Sequence, residues 1–323
     1  MNGLNELRIV LIGKTGDGRS STGNTILRDD FFKADTSSSS TTSACSAKSN
    51  TVNGRRLTVI DTPGFFNTRM SDEDLKPAIL RCITECSPGP HAFVIVLKIK
   101  RWTKREEEIV NKISESLGDE AFKYAVVLIT FGNDKIGPEI PTIQKFVEDV
   151  EKLSAFVKKC GGRCHVLDNK RWNEQQYGYK SNNFQVESLL CTIEQMVHQN
   201  GGGCYTNVML EAVQNERLAE EKLIRATLCE MSEEEIREQV NEKVFNKLSK
   251  TLAGGLIGSF RGALFGVKES LDGLMSGNVI AIVGGVVRII CKTVQGGIAG
   301  VEAVKDTTTL GEAAKLAWKN ARS

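Results

Sequence analysis

The chain has 323 residues, 40% of them hydrophobic and 25% charged, with a formal net charge of +2. That length exceeds one average domain and can bury a sizeable core, while the near balance of charge, with no basic stripe interleaved with aromatics, excludes a nucleic-acid footprint. Nine cysteines, an odd number spread along a chain without a secretory leader, predict reduced thiols in the cytoplasm rather than a disulfide framework.

The start, MNGLNELRIV, carries neither a charged leader with an apolar core nor a glycine after Met1, so secretion and N-myristoylation are not expected. Beyond a short tail, 1–6, the run Leu7 to Ile12 is apolar except for Arg8, as in a strand buried on both faces of a parallel sheet. It breaks into Gly13, Lys14, Thr15, Gly16, Asp17, Gly18, Arg19, Ser20 and Ser21, the phosphate-loop spacing with arginine in place of the usual lysine. Glycines let several backbone N–H groups converge on a phosphate, and a helix starting near Arg19 aims its partial positive charge there. Ser20 is the candidate Mg²⁺ ligand, and Arg19 is expected against the β-phosphate because a helix start leaves it little else to reach. A glycine-rich βα turn without a ligand is the plain alternative.

The tract 34–50, holding SSSSTTS, is too poor in apolar residues to bury itself and reads as a loop. It is either a linker or a switch in which Thr42 reaches Mg²⁺ and the γ-phosphate; its place between two motifs favours the switch. The second motif, Asp61-Thr62-Pro63-Gly64, follows a strand at Leu57 to Ile60 that the Asn53-Gly54 turn makes antiparallel to its predecessor. Asp61 fits an aspartate that holds Mg²⁺ through water, and Gly64 a γ-phosphate contact. Phe65 and Phe66 stand where a water-orienting glutamine is common, so hydrolysis should be slow.

Helices at Leu75 to Cys86 and Thr103 to Leu117 alternate with apolar strands at Phe93 to Ile99, Tyr124 to Thr130 and Cys164 to Val166, the pattern of a doubly wound α/β sheet with ligands at the carboxyl ends of strands. Two loops there are candidates for base recognition. Thr130 to Asp134 offers Asn133 and Asp134, the carboxylate suiting guanine N1–H and N2–H₂, and Leu167 to Lys170 offers Asn169. Both loops read equally as turn chemistry. The pairs Cys82/Cys86 and Cys160/Cys164 are spaced one residue wider than the commonest zinc pair, and the three histidines complete neither set.

From about residue 208 the composition changes. The charged stretch 208–250 has Ile236, Val240, Val244, Leu248 and Leu252 at four-residue strides behind a capping box from Ser232 to Glu235, predicting long helices, either docked by one apolar stripe or paired as a coiled coil. The segment 251–323 is glycine-rich and apolar, and is expected to be helical, a close-packed hairpin that is either buried or in contact with a membrane through 251–304. Its longest uncharged apolar run from Val279 is nine residues, short of the ~20 that span a bilayer.

In this order and spacing, GKTGDGRSSTGNTIL, STTSACSAKSNTVNGR, TVIDTPGFF, CSPGPHAFVIVLKIKRWTKREEEIV and HVLDNK resemble the immunity-associated GIMAP (IAN) GTPases, relatives of septins and chloroplast import-receptor GTPases. The resemblance runs from Leu7 to Asn207. It implies a P-loop GTPase fold, a mostly parallel sheet flanked by helices, over 7–207; the tail read above adds an all-α C-terminal extension. It also implies GTP and GDP as ligands, Mg²⁺ as cofactor, and a homodimer or homo-oligomer formed through the nucleotide face. The functional expectation is a slow, dimerisation-regulated GTPase, cytoplasmic or peripheral on an intracellular membrane, with Thr42 and Gly64 as switch residues and no assigned catalytic residue. The alternative, carried by Arg19 and by Phe131-Gly132-Asn133 in the base loop, is a nucleotide-poor scaffold that keeps the fold for assembly at a membrane surface.

Overall fold

The computed structural model describes residues 6–33, 45–62, 72–98, 103–116, 118–130, 142–169, 181–227, 231–251, 279–283, 286–293 and 300–307. The chain divides into two compact units, Met1–Thr206 and Asn207–Ser323.

In the first unit, β1 (Leu7–Gly13), α1 (Arg19–Leu27), β2 (Ser46–Val52), β3 (Arg55–Asp61), α2 (Asp72–Cys86), β4 (Ala92–Lys98), α3 (Lys104–Ser116), α4 (Asp119–Phe122), β5 (Ala125–Thr130), α5 (Ile143–Glu148), α6 (Glu151–Lys159), β6 (Cys164–Leu167) and α7 (Asn182–Gln199) follow one another. The sheet order is β2-β3-β1-β4-β5-β6. All pairings are parallel except β2 with β3, the hairpin that Asn53-Gly54 turns. This is the α/β architecture expected. The chain winds outward from β1 in both directions, toward β3 and toward β4, so the carboxyl end of β1 is the topological switch point where such sheets hold ligands.

Both faces of the sheet are covered, which is why its central strands are continuous apolar runs. On one face Leu7, Ile9 and Leu11 of β1 pack with Leu57 and Val59, Val94 and Val96, Val126 and Leu128, under Ile26 and Leu27 of α1 and Val186, Leu189, Leu190 and Ile193 of α7. The alternate residues Val10, Ile12, Ile60, Phe93, Ile95, Val127 and Ile129 are also fully buried and point to the other face. The lower edge is tied by His91, whose backbone N–H donates to the Arg8 carbonyl at 2.8 Å and whose Nδ1 accepts from the Arg8 backbone N–H at 2.9 Å. Burial, with the Arg8 charge added, pulls the His91 pKa down to about 4, so the ring is a neutral acceptor at ordinary pH.

Cys45, directly before β2, and Cys82, in α2, are joined as a disulfide with Cα atoms 5.5 Å apart. This corrects the expectation of reduced thiols throughout. The two lie 37 residues apart in sequence, and only the packing of α2 beside the β2–β3 hairpin brings them together.

In the second unit α8 (Val208–Thr227) and α9 (Glu233–Thr251) are antiparallel, held by Arg225 to Glu233 near their joined ends and by Lys247 to Glu216 further along. The capping box is present: the Ser232 backbone N–H donates to Glu235 Oε2 at 2.8 Å and the Glu235 N–H to Ser232 Oγ at 3.3 Å. Ile236, Val240, Val244 and Leu248 form the buried stripe. Beyond them the structure departs from the helical segment expected over 251–323. β7 (Val279–Val283), β8 (Val286–Thr293) and β9 (Gly300–Thr307) form an antiparallel sheet in that order. VIAIV and VVRIICKT are rich in Val and Ile, whose branched side chains suit a pleated surface and lose freedom in a helix; the glycine spacing that suggested close helix contact is the weaker signal. Among the described residues no helix is long and apolar enough to cross a membrane.

Candidate functional site

The phosphate loop leaves the carboxyl end of β1 and enters α1 as its spacing predicts. Gly18 takes φ 89° at the N-cap of α1, a left-handed conformation that an L side chain adopts only at a cost. Gly13 is required for a different reason: a Cβ there would lie 2.5 Å from the Val96 carbonyl and 3.3 Å from Arg19 Cδ. Lys14 and Thr15 are half-buried and Gly16 is exposed, with open space where its Cβ would be. The Asp17 backbone N–H donates to the Lys14 carbonyl at 3.2 Å, and Thr130 Oγ1, at the end of β5, donates to the Asp17 carbonyl at 2.9 Å.

Ser20 and Asp61 meet. Ser20 Oγ donates to Asp61 Oδ2 at 2.5 Å, joining the first turn of α1 to the end of β3. Asp61 Oδ1 is buried without a hydrogen-bond partner. Burial raises the Asp61 pKa, opposed by the Arg19 charge and the Ser20 hydrogen bond. A hydroxyl beside a carboxylate with one buried oxygen unanswered is a hard-oxygen donor set of the kind Mg²⁺ takes, so the residues present fit the ion that the motifs imply. Ser21 follows on α1, half-buried.

Arg19 has a protein partner within reach. It is 5% exposed, and its Nη1 donates to the Thr62 carbonyl and, at 3.0 Å, to Thr62 Oγ1. Thr62 Oγ1 in turn donates to the Leu11 carbonyl at 2.7 Å. The expectation that a helix-start arginine has little to reach except phosphate is therefore wrong: Thr62 lies beside it because β3 is the neighbour of β1. A planar guanidinium can serve two acceptors on one residue, which an ammonium does less well. Burial lowers the Arg19 pKa, and Asp61 and then Asp17 oppose that.

Asp17 is the second buried acid of the site. Burial pushes its pKa up to about 6 against the pull of Lys14, Arg19 and Lys98. Asn169, expected as a contact to the base, braces the loop: its Nδ2 donates to the Gly18 carbonyl at 3.1 Å and to Thr22 Oγ1 at 3.0 Å, and its Oδ1 accepts from Thr25 Oγ1 at 3.0 Å. Thr42, Gly64, Phe65, Phe66, Phe131, Asn133 and Asp134 lie outside the described residues. Thr62, Thr22, Thr25 and Thr130 went unassigned in the sequence; hydroxyls in turns and helix starts are too common for their partners to be read without the fold.

The AIG1 family matches residues 7–223. Immune-associated nucleotide-binding protein 8 of Arabidopsis thaliana is 35% identical over 214 residues, 64% of this chain and 58% of that protein. GTPase IMAP family member 8 of Homo sapiens is 31% identical over 208 residues, 64% of this chain and 30% of that protein. The match thus spans less than two thirds of the length of these relatives. Among solved structures, Toc33 from Arabidopsis thaliana in complex with GDP and Mg²⁺ aligns with a TM-score of 0.46 and 14% identity over 61% of this chain and 86% of that one. By the extent of the family match across its α/β unit, phosphate loop and Asp61 included, this chain belongs to the AIG1 family.

Proposed function

We propose that this chain binds GTP and GDP with Mg²⁺ and hydrolyses GTP slowly, regulated by dimerisation across the nucleotide face. The observation that carries the reading is the Ser20–Asp61 pair at the mouth of the phosphate loop, with its unanswered Asp61 oxygen. Relatives named as nucleotide-binding proteins and as a GTPase support it. Ser20 would hold Mg²⁺ through its hydroxyl and Asp61 through water; the ion, when bound, neutralises charge on the β- and γ-phosphates. The backbone from Gly13 to Ser21 and the Lys14 side chain would bind the phosphates, with Thr42 and Gly64 sensing the γ-phosphate. Asn133 and Asp134 would accept from guanine, and Asn169 would hold the loop in shape. Phe65 and Phe66 offer no hydrogen bond to an attacking water, so useful turnover needs a group supplied from a second copy.

Calorimetric titration with GTP, GDP and ATP in Mg²⁺ tests the binding. Heat with both guanine nucleotides and none with ATP is expected; no heat with either at high micromolar concentration refutes it. The dimer clause is tested by turnover per molecule, which should rise with protein concentration.

The engagement of Arg19 with Thr62 favours a second reading, a scaffold that uses the G-domain fold for assembly at a membrane surface through 251–304. Absence of guanine-nucleotide heat together with sedimentation on lipid vesicles would establish it over the first.

A further inference from the structure

We infer that Asn182 is a positioning residue for phosphate binding: by fixing the backbone of Asp168 it holds Asn169 against the phosphate loop, and so aims the loop's own N–H groups. The inference deepens the proposed function and rests on the reading of Gly13 to Ser21 as the phosphate cradle.

The contacts run without a break from the core to the loop. Val186, Leu189, Leu190 and Ile193 fasten α7 to the sheet, so the first residue of that helix is a fixed point. That residue is Asn182, 5% exposed. Its Nδ2 donates to the Asp168 carbonyl at 2.7 Å, and its Oδ1 accepts from the Asp168 backbone N–H at 3.0 Å. One amide thus answers both backbone polar groups of the residue just past the end of β6, a two-sided pairing that sets the orientation of that backbone. Asn169 comes next, and it reaches the Gly18 carbonyl, Thr22 Oγ1 and Thr25 Oγ1.

What Asn169 controls is a peptide plane. In a trans peptide the carbonyl and the following N–H point opposite ways. Drawing the Gly18 carbonyl toward Asn169 therefore turns the Arg19 N–H to the other side. Thr130 acts in the same way one residue earlier, donating to the Asp17 carbonyl at 2.9 Å and so turning the Gly18 N–H. Thr130 and Leu167 stand opposite each other at the ends of β5 and β6, so two neighbouring strand ends set two successive N–H groups. Gly18, at φ 89°, has no Cβ to restrict it, which makes it the position where a hold from outside matters most. Thr130 is itself part of a strand and needs no relay. Asn169 lies two residues beyond β6, and Asn182 supplies there the rigidity that the strand no longer gives.

The test uses the full chain, with amide hydrogen exchange of peptides spanning 13–22 in the absence of nucleotide and calorimetry with GDP and a GTP analogue in Mg²⁺. Asn182→Ala should speed exchange over 18–22 and weaken both nucleotides by about fivefold or more, within the range of coupling energies in one hydrogen-bond network. In an Asn169→Ala background the same substitution should change affinity by less than about twofold, because its route to the loop is gone. Ser181→Ala is the control. It removes the N-cap of α7, whose Oγ accepts from the Phe184 N–H at 3.1 Å, and leaves the Asn182 amide in place, so stability should fall while affinity is kept. If Asn182→Ala does not fold, Asn182→Asp decides by the same readings: a carboxylate suits a helix start, keeps the acceptor for the Asp168 N–H and loses the donor to its carbonyl. Unchanged exchange over 18–22, a loss of affinity undiminished in the Asn169→Ala background, or an equal loss in Ser181→Ala overturns the inference. If the wild-type chain binds no guanine nucleotide, the proposed function falls, while the exchange comparison, repeated in the Asn169→Ala background, still decides the role of Asn182.

Discussion

Ser20 Oγ and Asp61 Oδ2 lie 2.5 Å apart, joining residues 41 positions apart in sequence, because β1 and β3 are parallel neighbours and Asp61, the last residue of β3, stands opposite Leu11, two residues before β1 ends at Gly13. The same site holds Arg19 on Thr62, Asp17 held by Thr130 at its carbonyl, and Asn169 bonded to the Gly18 carbonyl.

Ser20→Ala removes one of the three Mg²⁺ candidates, Ser20, Thr42 and Asp61, without touching the loop backbone. GTP affinity in Mg²⁺ should fall about tenfold or more, about 1.4 kcal/mol, while affinity in a chelator should match wild type. Calorimetric titration in both buffers checks this, and an equal loss in both would show that Ser20 acts on the loop and not on the ion.

Arg19→Lys replaces a buried fork with a flexible point charge. The contacts to Thr62 weaken, so stability should drop by roughly 1.5–3 kcal/mol, the usual worth of hydrogen bonds from a charged group, as read by urea unfolding. GTP binding should tighten or stay unchanged, since the ammonium is no longer committed to Thr62. A tenfold loss of affinity would instead make the arginine an adapted phosphate ligand.

Asn169→Ala removes one hydrogen bond each from the Gly18 carbonyl, Thr22 Oγ1 and Thr25 Oγ1, while the Gly18 carbonyl keeps the Thr22 N–H and Thr25 Oγ1 keeps the Ser21 carbonyl. If Asn169 braces the loop, affinity for GTP and for inosine triphosphate should fall by the same factor. A change in the ratio between them would return Asn169 to the base contact expected from sequence.

Asp17 makes stability depend on pH in the sense opposite to a salt-bridged acid. Its pKa is about 6 in the fold against 3.8 ordinarily, so between those values the folded state binds more protons and stability falls as pH rises, levelling above about 6. His91 and His165 act the other way: burial lowers each from 6.5 to about 4, so their contribution is complete above 6.5 and is lost as pH falls toward 4. The difference in unfolding free energy from urea titration between Asp17→Asn and wild type isolates the acid. It should widen in favour of the variant from about pH 4 to 6 and then hold, reaching at most 2–3 kcal/mol at roughly 1.4 kcal/mol per unit. A difference independent of pH would show that Asp17 is charged at all these values.

Local signals carried much of this protein. The apolar run before Gly13, the glycine spacing of the phosphate loop, Asn53-Gly54 before β3 and the Ser232 to Glu235 capping box are each read from a few adjacent residues, because backbone conformation and strand burial answer to near neighbours. They sufficed for β1, α1, β3, α2, β4, α3, β5 and β6 and for naming Ser20 and Asp61, which the fold brings together; α4 to α7 were not read, and β2 begins inside the tract 34–50 that reads as a loop, because pairing with β3 and not apolar content makes it a strand. The partners of Arg19 and Asn169, the pairing of Cys45 with Cys82 and the strands at 279–307 were decided elsewhere. A guanidinium or an amide has many acceptors within its reach, a cysteine pairs with whichever thiol the packing delivers, and a glycine-rich run of Val and Ile suits either a close helix contact or a pleated sheet. Such choices depend on groups tens of residues away in sequence, and only the stacking of β3 beside β1, α2 beside the β2–β3 hairpin, and β8 between β7 and β9 brings those groups within range of a hydrogen bond or a covalent bond.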